Sequence, residues 1–264
     1  MYGAIIGDII GSVYEFNNDR RKDISISDPK MRFTDDTILT VATMASILNP
    51  EVSYSKAYKE YYSRYKDSHR GFGDRFRVWG QSVNLEPYNS FGNGSAMRVS
   101  PVAWIYETEE EVLNEAKRSA EATHNHPESI KGAQAIALAV YLARKKVSKL
   151  EIELIIEDRF EYNLVQSIEE IRVTNRFDET CQGSVPESLI CFFKSSDFED
   201  SIRTAISIGG DSDTIACMTG SIAEAYYGLD QKWIDFANEH LDNSLREVVK
   251  TFYERYNLLP INTT

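Results

Sequence analysis

Residues 1–16 read MYGAIIGDIIGSVYEF, and two helical stripes run through them. Gly3, Gly7 and Gly11 stand four apart, so on a helix they share one face that carries no side chains. Ile5, Ile6, Ile9 and Ile10 load the adjoining face with apolar bulk. Such a helix can be approached very closely by a partner. Asp8 and Glu15 are the two carboxylates in the block. The pattern predicts a core helix in which Asp8 is an interior residue without further duty, whereas Glu15 is also delivered to a crowded site.

Working outward, helical periodicity recurs over Ile38–Leu48, Tyr54–Tyr65, Glu109–Ala122, Pro127–Lys146, Lys149–Phe160, Leu164–Val173, Pro186–Phe193, Phe198–Ile208, Thr214–Tyr227 and Trp233–Tyr256. Strand signals are nearly absent: Ile24–Ile26 is the one short candidate, and the Asn93-Gly94 pair lacks flanking alternation. No tandem repeat, linker or low-complexity tract divides the chain. The expectation is an all-α fold, a compact orthogonal multi-helix bundle with long functional loops, formed by a single domain over residues 1–264.

Charge narrows the choice of partners. Lys and Arg total 29 against 41 Asp and Glu, a net charge of −12, which disfavours nucleic acid and anionic membranes as partners. An anionic ligand would need local help from cations, helix N-termini or glycine-rich backbone. Cys181, Cys191 and Cys217 are odd in number and lack CxxC spacing, so neither a disulfide framework nor a thiolate zinc site is expected. With no basic segment ahead of the first apolar run and no span near the roughly 20 apolar residues that cross a bilayer, a cytoplasmic protein is expected.

Chemistry concentrates at two helix starts. Thr34-Asp35-Asp36 precedes the apolar run Ile38–Leu48, where a doubled N-cap would alone account for it. Gly209-Gly210-Asp211-Ser212-Asp213-Thr214 repeats the arrangement ahead of the small-residue helix that follows. Adjacent carboxylates repel unless a cation lies between them, and oxygen-only ligands select hard ions such as Mg²⁺ or Mn²⁺. Two such clusters suggest helix ends that meet face to face. Two weaker features accompany them. Phe91-Gly92-Asn93-Gly94-Ser95-Ala96-Met97-Arg98 has glycines that let backbone amides approach an anion, although a tight loop without a ligand explains it equally. Thr123-His124-Asn125-His126-Pro127 opens a helix at Pro127, where Asn125 or His126 can act as a cap.

Taken in order, GAIIGDIIGSVYEF, FTDDT, SFGNGSAMRVSP, ATHNHPE, GSVPESL and AISIGGDSDTIACMTGSIAEAYYG resemble the ADP-ribosylglycohydrolase family over nearly the whole chain. The pairing of TDDT with GGDSDT is the specific part. The resemblance implies an all-α fold with a binuclear metal site in a central cleft, holding two divalent cations, Mg²⁺ or Mn²⁺. It implies Thr34, Asp35, Asp36, Asp211, Asp213 and Thr214 as metal ligands. Glu15 matches the family's mobile-loop acid and, with Asp36 and Asp213, makes up the catalytic set. Gly92, Asn93, Gly94, Ser95, Ala96 and Met97 resemble the segment that wraps the diphosphate and ribose, and His124 matches a ligand-contacting histidine.

The implied activity is hydrolysis of the bond between ADP-ribose and an acceptor, either a modified protein side chain such as arginine or serine or a small molecule, by a monomer. Two other classes share parts of the pattern. A binuclear phosphohydrolase would use the same carboxylates and release AMP. A non-catalytic ADP-ribose-binding protein need not retain both acidic clusters, yet both are present here.

Overall fold

A computed structural model describes residues 1–67 and 71–258. The chain runs through α1 (Tyr2–Gly11), α2 (Asp35–Leu48), α3 (Tyr54–Tyr65), α4 (Asp74–Gln81), α5 (Gly94–Met97), α6 (Val102–Ile105), α7 (Glu109–Glu121) and α8 (Pro127–Arg144). It continues through α9 (Lys149–Phe160), α10 (Ile168–Thr174), α11 (Cys181–Phe193), α12 (Phe198–Ser207), α13 (Ser212–Tyr227), α14 (Gln231–His240) and α15 (Asn243–Arg255). Among the described residues there is no sheet, and an isolated antiparallel bridge between Gly92 and Thr180 is the only β feature. The all-α expectation holds. Ile24–Ile26 is irregular chain, with Ile24 buried against the core.

The central contact is α1 against α13, and glycine makes it possible. A Cβ on Gly3 would lie 2.2 Å from the Gly220 carbonyl oxygen, one on Gly7 2.1 Å from that of Ala216, and one on Gly11 2.4 Å from Asp213 Cα. Gly220 answers from the other helix, since its own Cβ would lie 2.2 Å from Gly3 O. The two backbones therefore touch along three turns, and the isoleucines beside the glycines are left to fill the core on either side. Further along the crossing, buried Glu224 accepts from Gly3 N at 2.7 Å and from the Tyr253 hydroxyl at 2.9 Å. The close approach sets the N-terminus of α13 against the C-terminal end of α1.

Helix boundaries differ from the sequence reading where a capping side chain decides. The segment Trp233–Tyr256 is two helices, because Asp242 accepts from Leu245 N at 2.9 Å and starts a new helix. Pro186 lies inside α11 rather than at its start, because Thr180 caps that helix earlier by accepting from Gly183 N at 3.1 Å. Ser167 likewise starts α10 at Ile168, inside the predicted span Leu164–Val173. The short helices α4, α5 and α6 carry too few turns to register as periodicity. No helix among the described residues is long and apolar enough to cross a membrane.

Candidate active site

Three helix ends meet at the α1–α13 crossing. Thr34 caps α2, its hydroxyl oxygen accepting from Asp36 N at 3.3 Å. Asp8, projecting from α1, takes the remaining donors of that helix start: Thr34 N at 2.9 Å, Thr34 Oγ1 at 2.7 Å and Thr37 N at 3.0 Å. Asp8 therefore does more than fill the interior, and the reading of it as an ordinary core residue is corrected. Every residue of α1 is buried, and a carboxylate inside such a helix was itself a signal that it had a partner.

The two acidic segments come together here. The Thr214 hydroxyl donates to Asp36 Oδ2 at 3.3 Å, across from the Thr34 hydroxyl at 3.4 Å from the same oxygen. Single oxygens of Asp8, Asp36 and Asp213 all lie within 4.8 Å of one another, and so do those of Glu15, Asp211 and Asp213. Asp213 belongs to both groups. Asp211 is fixed by the Asn93 side-chain amide, which donates to its Oδ2 at 2.7 Å, and Asp213 Oδ1 accepts from Thr214 N at 2.9 Å. Asp35 turns toward Gly71, whose φ of +127° and a would-be Cβ 2.1 Å from Asp35 Oδ1 both exclude a side chain.

The loop that carries Glu15 is tied to the glycine turn ahead of α13. Asn18 Nδ2 donates to Gly210 O at 3.0 Å, and Gly210 N donates back to Asn18 Oδ1 at 2.9 Å. Gly209 and Gly210 have φ of +75° and +79°, a turn that presents Asp211 and Asp213 on the same side. Helix α1 stops at Gly11, so Glu15 reaches the site from a loop and not from the helix.

The carboxylates of this site perturb one another. Burial, then the charges of Asp8, Asp35 and Asp211, push Asp36 well above the usual carboxylate range. Burial, then Asp211, Asp36 and Glu15, do the same to Asp213. Glu15 is pushed up to about 7 by burial and by Asp211 and Asp8. Among the described residues, Asp36 Oδ1 is buried with no hydrogen-bond partner. An all-oxygen donor set, mutual repulsion and an orphaned carboxylate oxygen fit a bound hard cation, which would satisfy all three at once. These acidic clusters could hold metal.

The clusters open into a cavity of 380 Å³. Glu15, Asp35, Asp36, Asp211, Asp213 and Thr214 line it together with Gly92, Asn93, Gly94, Met97 and His124. Thr34, Ser95 and Ala96 do not: Thr34 is engaged with Asp8, Ala96 is buried, and the Ser95 hydroxyl points inward to Ser129 O at 2.9 Å. Arg75, Tyr88, Phe177 and Glu179 also line the cavity and carried no local sequence signal. Phe177 is half exposed and stacks on exposed Phe16, the neighbour of Glu15, with ring centroids 6.1 Å apart.

Known proteins share this arrangement of sequence. The profile of a family described as ADP-ribosylglycohydrolase matches residues 1–258. The ADP-ribosylhydrolase ARH3 of Mus musculus is 30% identical over 308 residues, spanning 87% of this chain and 83% of that protein. ARH3 of Homo sapiens is also 30% identical, spanning 87% of this chain and 84% of that protein. A solved ADP-ribosylglycohydrolase-related protein complex superimposes with a TM-score of 0.69 at 20% identity, covering 96% of both chains, and thus shares the fold. From Met1 to Leu258, the chain belongs to the ADP-ribosylglycohydrolase family of glycosidic-bond hydrolases.

Proposed function

We propose that this chain is a metal-dependent hydrolase that releases ADP-ribose from an ADP-ribosylated side chain or small molecule, with two divalent cations, Mg²⁺ or Mn²⁺, held between the starts of α2 and α13. The supporting observation is that Asp213 is shared by two carboxylate groups, Asp8–Asp36–Asp213 and Glu15–Asp211–Asp213, each compact enough for one ion. Asp35, Asp36, Asp211, Asp213 and Thr214 would hold the ions, with Thr34 supporting Asp36 from behind. Bound there, such cations would supply Lewis acidity and lower the pKa of water.

The remaining work falls to the protein's own groups. Cleaving the bond at the anomeric carbon places positive charge on the ribose ring, so a nearby array of carboxylates is favourable in the transition state. Glu15, brought beside Asp211 and Asp213 by its loop, is the group placed to take the proton of the attacking water or give one to the leaving atom. The glycine segment from Gly92 to Gly94 leaves backbone bare on the cavity wall, room for a diphosphate, and His124 lines the cavity beside it. Asn93 holds Asp211 in place from that same segment, which couples ligand seating to the acidic cluster.

The contacts of α1 with α13 and α15, at opposite ends of the chain, support one domain. Three buried free cysteines, Cys181, Cys191 and Cys217, support a cytoplasmic setting. The test is a panel of defined ADP-ribosylated acceptors incubated with each metal and scored by product. Free ADP-ribose is the expected product. AMP with ribose phosphate would replace this reading with diphosphate cleavage, and no product with any acceptor or metal would remove it.

A further inference from the structure

We infer that Arg98 and Thr123 are positioning residues that hold His124 as the neutral tautomer with its proton on Nε2, a fixed hydrogen-bond donor facing the glycine wall of the cavity. The inference rests on the proposed use of that wall for ligand, but its geometry stands on three side chains alone. Arg98 is completely buried, and its Nη2 donates to Thr123 Oγ1 at 2.7 Å and to Ser119 O at 3.2 Å. Thr123 Oγ1 in turn lies 2.6 Å from His124 Nδ1.

The direction of that last hydrogen bond follows from counting hydrogens. A guanidinium can only donate, so Thr123 Oγ1 accepts from Arg98. The threonine is itself fully buried, and among the described residues His124 Nδ1 is the one other polar atom at its hydroxyl. If Nδ1 carried a proton, two donors would converge on Oγ1 while the buried hydroxyl hydrogen was left with no acceptor, which is unfavourable. If the hydroxyl donates to Nδ1, the hydroxyl's donor and acceptor roles are both filled. The proton must then sit on Nε2, the atom that faces the glycine segment: it lies 3.1 Å from a Cβ built on Gly94 and 3.7 Å from one built on Gly92.

Charge guards the same state. The guanidinium of Arg98 has no carboxylate partner among the described residues; its Nε and Nη1 are unbonded, and it stacks 3.9 Å over the ring of Tyr58. The groups that bear on the imidazole are Arg98, Arg75 from α4 and the ring of Tyr88 at 5.7 Å. None is acidic, and burial together with the two arginines keeps the imidazole well below its ordinary pKa. A neutral imidazole with a hydrogen on Nε2 offers a donor to an anionic or hydroxyl oxygen in the cavity that His124 lines. An untethered imidazole would divide its population between two tautomers and waste part of it on a lone pair facing an anion.

Histidine tautomers are read directly from long-range ¹H–¹⁵N spectra of the full ¹⁵N-labelled chain, with the His124 signals identified by their loss in His124→Gln. The expected spectrum has Nδ1 unprotonated and Nε2 protonated near neutral pH. Thr123→Val should move both nitrogens toward tautomer-averaged values, and Thr123→Ser, which restores the hydroxyl, should return them to the native ones. A proton on Nδ1 in the native protein, or native shifts in Thr123→Val, would each overturn the assignment. The spectra need neither metal nor substrate, so an absence of hydrolysis beside the expected tautomer would count against the proposed activity and leave this inference intact.

Discussion

The Thr214 hydroxyl lies 3.3 Å from Asp36 Oδ2, joining the starts of two helices separated by 178 residues. On one side of that contact Asp36 belongs to a carboxylate group with Asp8 and Asp213; on the other, Asp213 belongs to a second group with Glu15 and Asp211. Without a cation, each charge in the cluster is held against its neighbours at an energetic cost. Removing one charge should therefore harm activity and spare the fold. Asp36→Asn and Asp213→Asn are expected to lower kcat by roughly 100-fold or more, the scale on which loss of one charge-organising group acts in hydrolytic sites. In metal-free buffer their melting temperatures should equal or exceed that of the native chain. Full activity in Asp213→Asn under limiting metal would contradict the proposed site.

The same cluster predicts a stability effect that needs no substrate. A cation that binds the folded chain alone stabilises it by about 2.7 kcal/mol at a hundred times its dissociation constant. Mg²⁺ or Mn²⁺ should accordingly raise the melting temperature of the native protein, and EDTA should reverse the rise. Asp213→Asn, which disrupts both carboxylate groups, should show little or no metal-dependent shift in scanning calorimetry. An equal shift in variant and native protein would place the ions elsewhere.

Gly7 tests whether the helix crossing supports the site. A Cβ there would lie 2.1 Å from the Ala216 carbonyl oxygen, which is backbone and cannot rotate away. Gly7→Ala must push α1 and α13 apart, and overpacking of this sort costs about 1–3 kcal/mol, opposed by the better helix propensity of alanine. Denaturant titration should report a net loss. Because Asp8 follows on α1 and Asp213 lies on α13, the displacement should also reduce activity in the fraction that remains folded. A variant as stable and as active as the native chain would show that the crossing has slack.

What could be read from the sequence was whatever depends on local chemistry. Thr34–Asp36 and Asp211–Thr214 were visible because helix starts favour oxygen side chains and because two adjacent acids are unusual without a cation. Gly3, Gly7 and Gly11 announced a close helix contact, although not that α13 would supply it. Asp8 was misjudged since its partners, Thr34 and Thr37, belong to another helix start and no spacing rule links them. Arg75, Tyr88, Phe177 and Glu179 reach the cavity from loops and a short helix, where no periodicity marks a residue as facing inward. The division of Trp233–Tyr256 depended on a single cap, Asp242, inside an otherwise continuous amphipathic pattern.

Glu187 on α11 predicts how stability varies with pH away from the carboxylate cluster. Burial, then the charge of Asp178, raises its carboxyl from an ordinary 4.5 to about 7, with Asn175 and Arg20 partly offsetting the shift. Below pH 4.5 both folded and unfolded chains hold the proton, and Glu187 costs nothing. As pH rises from 4.5 toward 7 the unfolded chain releases its proton while the folded chain keeps it, so unfolding is progressively favoured. Above about 7 the loss is complete and amounts to at most about 3 kcal/mol. Glu187→Gln cannot ionise in either state, so it should match the native chain at pH 4 and exceed it at pH 8, a difference that urea titrations at the two values would measure. Equal stability gaps at both values would mean that the folded carboxyl is ordinary and that Asn175 and Arg20 compensate its burial in full.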